Sequence, residues 1–184
     1  GAQPMHSACG RYVVVYNGEI YNFRELKQKL DLSNRKYHWI GESDTEVLLT
    51  ALSQWGLADT LKHLDGMFSF ALWDRVSKQL TLARDRVGEK PLYYGWCGDS
   101  FVFGSELKAI RAHPEFSADI DSASLGLFLR FGFIPAPNSI YRDMYKLLPG
   151  HYVSVSAPSR GFVTTTCYWD LGEQARNSVG RKFA

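Results

Sequence analysis

A side-chain amide, a backbone N–H with no Cβ beside it and a carboxylate stand on consecutive residues at Asn17-Gly18-Glu19, directly after the apolar run Tyr12–Tyr16. Acyl transfer needs hydrogen-bond donors aimed at a developing oxyanion. Asn17 offers its amide NH₂ and Gly18 its N–H, which a ligand can approach closely because glycine has no side chain. Glu19 supplies a carboxylate able to pair with a ligand ammonium. Taken alone, Asn-Gly is most often a turn and Glu19 a solvated turn carboxylate. The full run Asn17–Asn22 is much more specific than the dipeptide. Asp44, in Gly41-Glu42-Ser43-Asp44-Thr45-Glu46, has two readings. It is a first-turn helix acid favoured by the macrodipole, or a second carboxylate for an amino-acid ammonium. Position does not separate these roles, and one residue can fill both.

A nucleophile to match these donors is harder to find. Cys9, Cys97 and Cys167 are three in number and far apart, with no CxxC pair and no histidine at zinc spacing, so neither a disulfide framework nor a metal site is indicated. Cys9-Gly10 is the tempting pair, but an internal cysteine has no α-amino group to act as its base and no obvious histidine partner is at hand. Cys97 and Cys167 are expected to pack within strands. His6, His38, His63, His113 and His151 make no metal-spaced set. The charged run Arg84–Tyr94 is expected to be a structured loop, with Gly88 at a turn and Pro91 fixing the start of a strand, ahead of an anion or partner site.

The elements that must hold these residues follow from periodicity. Tyr12–Tyr16 predicts a buried strand ending in an Asn17-Gly18 turn. Asn22 with Glu25 and Ser43 with Glu46 are capping-box candidates. They precede helices carrying Phe23, Leu26 and Leu30, and then Val47, Leu48, Ala51, Leu52 and Trp55, with Gly56 as a stop. Tyr37–Ile40 is a candidate strand between them, and Leu57–Leu64 a further short helix. Met67–Trp73, Gln79–Arg84, Leu92–Trp96 and Phe101–Gly104 then predict an antiparallel meander. Beyond it come a short helix at Glu106–Arg111 and a helix at Ser122–Phe131 capped by Asp121, with Leu125, Phe128 and Leu129 on one face. A loop at Pro135 and Pro137 and a final hairpin, Tyr152–Val155 with Phe162–Tyr168, complete an α+β layered domain. No glycine-rich phosphate loop joins a first strand to a helix, which excludes a Rossmann reading.

Composition narrows the class. The 184 residues suffice for one core, 45% are hydrophobic and the net charge is +2, too balanced for a nucleic-acid footprint. No apolar run approaches a membrane span, and Gly1–Pro4 lacks signal-peptide character. A cytoplasmic setting is expected, with no nucleic-acid or membrane partner.

Taken in order, Asn17–Asn22, Ser43–Glu46, Leu64–Ala71, Arg84–Tyr94, Gly104–Ala109 and Pro149–Tyr152 resemble the class II glutamine amidotransferase domain of glutamine-hydrolysing asparagine synthetases. The resemblance covers nearly the whole chain. It implies an N-terminal-nucleophile hydrolase fold, a four-layer αββα sandwich with two antiparallel sheets between helical layers. It implies that Asn17 and the Gly18 N–H form an oxyanion hole, that Glu19 and Asp44 hold the α-amino end of glutamine, and that ammonia passes to a synthetase domain using ATP and magnesium to amidate aspartate. No cofactor is expected within this chain. A relative with another acceptor (a β-lactam synthetase or a polysaccharide-pathway amidotransferase) and a non-catalytic glutamine-binding module are the alternatives.

The chain also departs from that pattern. The family begins with its catalytic cysteine and later has an Arg-Leu-Ser loop that holds the glutamine carboxylate, and neither occurs here. Gly1–Met5 resembles the stretch just downstream of that loop, so the chain is expected to start inside the domain, N-terminally truncated. Residues 1–171 are then the amidotransferase unit, and 172–184 a linker or tail toward a missing synthetase domain. On this reading the chain alone is inactive, exposes apolar surface and tends to form homo-oligomers.

Overall fold

In a computed structural model, which describes residues 2–32, 37–156 and 163–178, alternation of apolar and polar residues builds two antiparallel sheets. In chain order the elements are β1 (Met5–His6), β2 (Tyr12–Ile20), α1 (Phe23–Asp31), α2 (Asp44–His63), β3 (Gly66–Asp74), β4 (Gln79–Arg84), β5 (Tyr93–Cys97), β6 (Ser100–Gly104), α3 (Leu107–Ile110), α4 (Ser122–Phe131), β7 (Met144–Lys146), β8 (His151–Ser156), β9 (Val163–Cys167) and α5 (Leu171–Ser178). The larger sheet runs β1-β2-β3-β4-β8-β9 and the smaller β6-β5-β7.

Period-two patterning decides which face meets what. Val14, Tyr16, Ile20, Phe68 and Phe70 point from β2 and β3 to the helices, where they pack with Leu26 and Leu30 of α1 and Leu48, Leu52 and Leu61 of α2. On the opposite face Ala71, Leu82 and Val153 meet Leu92 and Leu147 between the sheets. The outer face of the small sheet carries Cys97 and Met144 against Ile110 of α3. The result is helices, sheet, sheet, helix: the layered α+β sandwich expected from the sequence.

Several local expectations need correction. Asn17-Gly18 is not a turn, because β2 continues through both residues to Ile20 with Gly18 opposite Phe68. Here glycine serves the neighbouring strand, since a Cβ on Gly18 would lie 2.3 Å from the Met67 carbonyl oxygen and 2.7 Å from Phe68 Cα. Asn22 does not cap α1. Its amide instead donates to His63 O at 2.9 Å and accepts from Asp65 N at 3.0 Å, tying the end of β2 to the end of α2. Ser43 does cap α2, accepting from Glu46 N at 3.2 Å. The Glu46 carboxylate, however, reaches past the cap to the N–H groups of Ile40 and Gly41, at 2.7 and 2.9 Å. Having spent this donor on a side chain, Tyr37–Ile40 forms no strand. Gly56 breaks α2 as expected, with φ 76° and ψ 175°.

Leu92 precedes rather than opens its strand, and its carbonyl accepts from Leu147 N at 2.9 Å. The shared face of Leu125, Phe128 and Leu129 on α4 is exposed. Residues 172–178, expected as linker, belong to α5, which buries no side chain. Asp170 starts that helix by accepting from Glu173 N at 2.7 Å. Phe162 and residues 179–184 lie outside the described residues.

Candidate functional site

The site is the open edge of β2. Phe68 turns both its backbone groups away from β2: its N–H donates to Asp85 Oδ2 at 3.3 Å and its carbonyl accepts from Asp85 N at 2.8 Å. Its register partner Gly18 therefore points its own N–H and C=O the other way, as a non-hydrogen-bonded pair must. β1 pairs with this edge only at Val13 and Val14. Further along, side chains take over the pairing. Tyr16 N donates to Gln3 Oε1 at 2.7 Å and Tyr16 O accepts from Gln3 Nε2 at 2.9 Å. Ile20 N donates to Asp44 Oδ2 at 3.0 Å. The Gly18 N–H thus sits between two fixed positions, each two residues or about 7 Å away along the strand.

Asn17 and Glu19 project from the face that turns toward the smaller sheet, Asn17 opposite Ser69. That sheet does not cover β2 here: Asn17 and Glu19 are exposed, as is Val15 at 44%. Asn17 Nδ2 nevertheless has one partner, donating to Ser105 Oγ at 3.0 Å. A primary amide carries two hydrogens, so one remains to be directed at the edge. Glu19 has no hydrogen-bonded partner among the described residues.

Asp44 arrives from the first turn of α2. Its Oδ2 accepts from both Ile20 N and the Tyr16 hydroxyl, the latter at 2.7 Å, while Oδ1 takes only a 3.4 Å contact from Thr45 Oγ1. Burial first, and then the bond to Asp44, push the Tyr16 phenol well above its ordinary pKa, so it remains a donor. One carboxylate oxygen is therefore committed to the scaffold, and the other keeps lone pairs for an ammonium. The two readings of Asp44, helix acid and ligand carboxylate, are compatible in this geometry. Tyr16 and Gln3 went unnoticed as supports. The sequence places Tyr16 in a buried strand, but nothing in it pairs that residue with one 28 positions away.

Behind the edge, the charged run Arg84–Tyr94 is the structured loop expected. Asp85, fully buried, also accepts from Glu89 N at 2.9 Å and Lys90 N at 3.0 Å. Arg84 donates to the carbonyls of Lys90, Leu147 and Gly88 at 2.6–2.7 Å. The loop holds β3 in place, and β3 sets the direction of Gly18.

No cysteine joins the site. Cys9 is exposed, and its thiol is held below the ordinary cysteine pKa chiefly by the Ser7 hydroxyl 3.3 Å away, with no base hydrogen-bonded to it among the described residues. Cys97 is buried, which pushes its thiol up. Cys167, expected to pack, is exposed, with Sγ 3.4 Å from Trp169 O. Among the described residues no cluster of His, Cys, Asp and Glu suits a metal ion, and no helix is long and apolar enough to cross a membrane. Away from the edge, a recess of about 200 Å³ opens between the sheets, lined by Tyr94, Trp96, Phe101 and Tyr145 and by no charged side chain.

Comparison with known proteins shows the family of the chain. The family profile described as "Glutamine amidotransferase domain" matches residues 1–169. Asparagine synthetase [glutamine-hydrolyzing] 3 of Bacillus subtilis is 40% identical over 161 residues, 85% of this chain and 25% of that protein. A putative asparagine synthetase [glutamine-hydrolyzing] 2 of Methanocaldococcus jannaschii is 41% identical over 161 residues, 86% of this chain and 30% of that protein. The chain thus spans about a quarter to a third of the length of these relatives. Among solved structures, glutamine phosphoribosylpyrophosphate amidotransferase from B. subtilis superposes with a TM-score of 0.60 at 19% identity, covering 91% of this chain and 32% of that one. At that identity the likeness is one of fold.

Proposed function

The chain belongs to the glutamine amidotransferase domain family, and from that footing we propose that it carries the glutamine pocket of a glutamine-hydrolysing asparagine synthetase. The observation that supports this most is the convergence, on one strand edge, of the Gly18 N–H and a half-committed Asp44 carboxylate, with the Asn17 amide beside them. Glutamine lies along β2 with its side-chain carbonyl oxygen on Gly18 N and Asn17 Nδ2. Its α-ammonium sits at Asp44 Oδ1, with Glu19 adding negative charge at the rim. As a nucleophile attacks the amide carbon, negative charge grows on the oxygen. Fixed donors stabilise that charge without reorganising. Ammonia and a glutamyl-enzyme ester or thioester result, and water releases glutamate.

None of Cys9, Cys97 and Cys167 carries an α-amino group, and none touches this edge, so we assign the nucleophile to none of them. The 184 residues alone are inactive on this account. Residues 1–171 form the amidotransferase unit, and 172–184 lead toward a synthetase domain that consumes the ammonia, with ATP and magnesium acting there rather than here. A cytoplasmic setting fits three unpaired thiols.

The test is Asn17→Ala in the native protein. Losing one oxyanion donor lowers glutamine-dependent product formation by about 10²–10³ and leaves product formation from free ammonia intact. An equal fall with both nitrogen donors would refute the oxyanion role.

A further inference from the structure

We infer that Ser105 is a positioning residue for glutamine hydrolysis, acting through Asn17, an inference that rests on the oxyanion role given to Asn17 above. The motif Gly104-Ser105-Glu106 otherwise has no part in the site. Ser105 directly follows β6 of the other sheet, 88 residues along the chain, yet its hydroxyl is the acceptor that holds Asn17 Nδ2 at 3.0 Å. Asn17 is exposed, and an untied asparagine amide at such a position rotates and spends its hydrogens on water. With one hydrogen fixed on Ser105, the plane of the amide is set, and the second hydrogen is directed before substrate arrives. Such preorganisation matters where charge appears only in the transition state.

Ser105 is itself well anchored. On one side β6 pairs with β5 through Tyr93↔Gly104. On the other, α3 begins two residues later and is pinned by Ile110, 4% exposed in the outer core. The serine is therefore a fixed strut from the end of β6 to the face of β2 that the small sheet leaves uncovered. It governs the direction of a donor and makes no contact with the reacting atoms.

The experiment is a double-mutant cycle in the native protein, reading glutamate release from L-glutamine, with folding followed by circular dichroism. Ser105→Ala lowers kcat about 3- to 10-fold, the size of one neutral hydrogen bond, with KM for glutamine unchanged. Ser105→Thr, which keeps the hydroxyl, restores kcat. In an Asn17→Ala background Ser105→Ala has no further effect, because the group it orients is gone. Full additivity in the double mutant, a change confined to KM, or no effect of Ser105→Ala beside a large effect of Asn17→Ala would overturn the role of Ser105 alone. No effect of Asn17→Ala would overturn the oxyanion reading on which it rests.

Discussion

Gly18→Ala measures how closely fold and site depend on each other. The added Cβ would stand 2.3 Å from Met67 O and 2.7 Å from Phe68 Cα, and ordinary contact begins near 3.4 Å, so β2 and β3 must part by about 1 Å. Both obstructing atoms are backbone and cannot rotate away. Nor can β3 retreat freely, because Phe68 is 1% exposed and Asp85 holds its N–H and C=O from the far side. Overpacking of this kind costs about 1–3 kcal/mol, and weakening a neighbouring ladder bond adds about 1 kcal/mol. For a chain of this size each kcal/mol lowers Tm by about 2–4 °C, so a fall of roughly 4–16 °C is expected. The same shift displaces the Gly18 N–H, and a 1 Å misplacement at a reacting centre costs about 10²-fold in turnover. Thermal melts by circular dichroism and glutamate release from the native protein read the two effects. Gly126→Ala is the control: it sits in α4 with nothing within 4 Å of its would-be Cβ, and should stabilise by about 0.5–1 kcal/mol. A Gly18→Ala protein melting within a degree of the parent would refute the packing argument, and one with full turnover would refute the link to the site.

Other substitutions separate the roles further. Asp44→Asn keeps a group near Ile20 N and the Tyr16 hydroxyl but removes the charge facing the ammonium, so KM for glutamine should rise about 10- to 100-fold in steady-state kinetics. Asp85→Ala strands the buried N–H of Phe68 and the part-buried N–H groups of Glu89 and Lys90, and urea unfolding should show a loss of about 3 kcal/mol. Asp74 is held well below the usual carboxylate range, chiefly by its hydrogen bond with Arg11. Its folded pKa lies below its unfolded value of about 4, so its contribution to stability is complete above that pH and is lost as pH falls toward the folded value. The Tm gap between the parent and Asp74→Asn should therefore be constant above about pH 5 and close below about pH 4, and it should be small because the Arg11 side chain is 44% exposed and solvent screens the pair.

The sequence made the layers and the candidate site residues legible, because both rest on local signals. Alternation in Met67–Trp73 and Gln79–Arg84 predicted strands, and helical spacing from Val47 predicted α2. The misreadings came where a side chain took over backbone pairing. Glu46 drew the Ile40 N–H out of a strand, and the Asn22 amide bridged to His63 and Asp65 instead of capping α1. Gly18 looked like a turn because its actual constraint, the backbone of β3, lies about fifty residues away in sequence. The supports at Gln3, Tyr16 and Ser105 were invisible for the same reason: each acts through a long-range contact without a local pattern.

The most direct measurement is a crystal structure of the native protein with L-glutamine bound. The account predicts the side-chain carbonyl oxygen within about 3 Å of both Asn17 Nδ2 and Gly18 N, and the α-ammonium on Asp44 Oδ1. Glutamine seated instead in the aromatic recess between the sheets, or anywhere off the β2 edge, would contradict it.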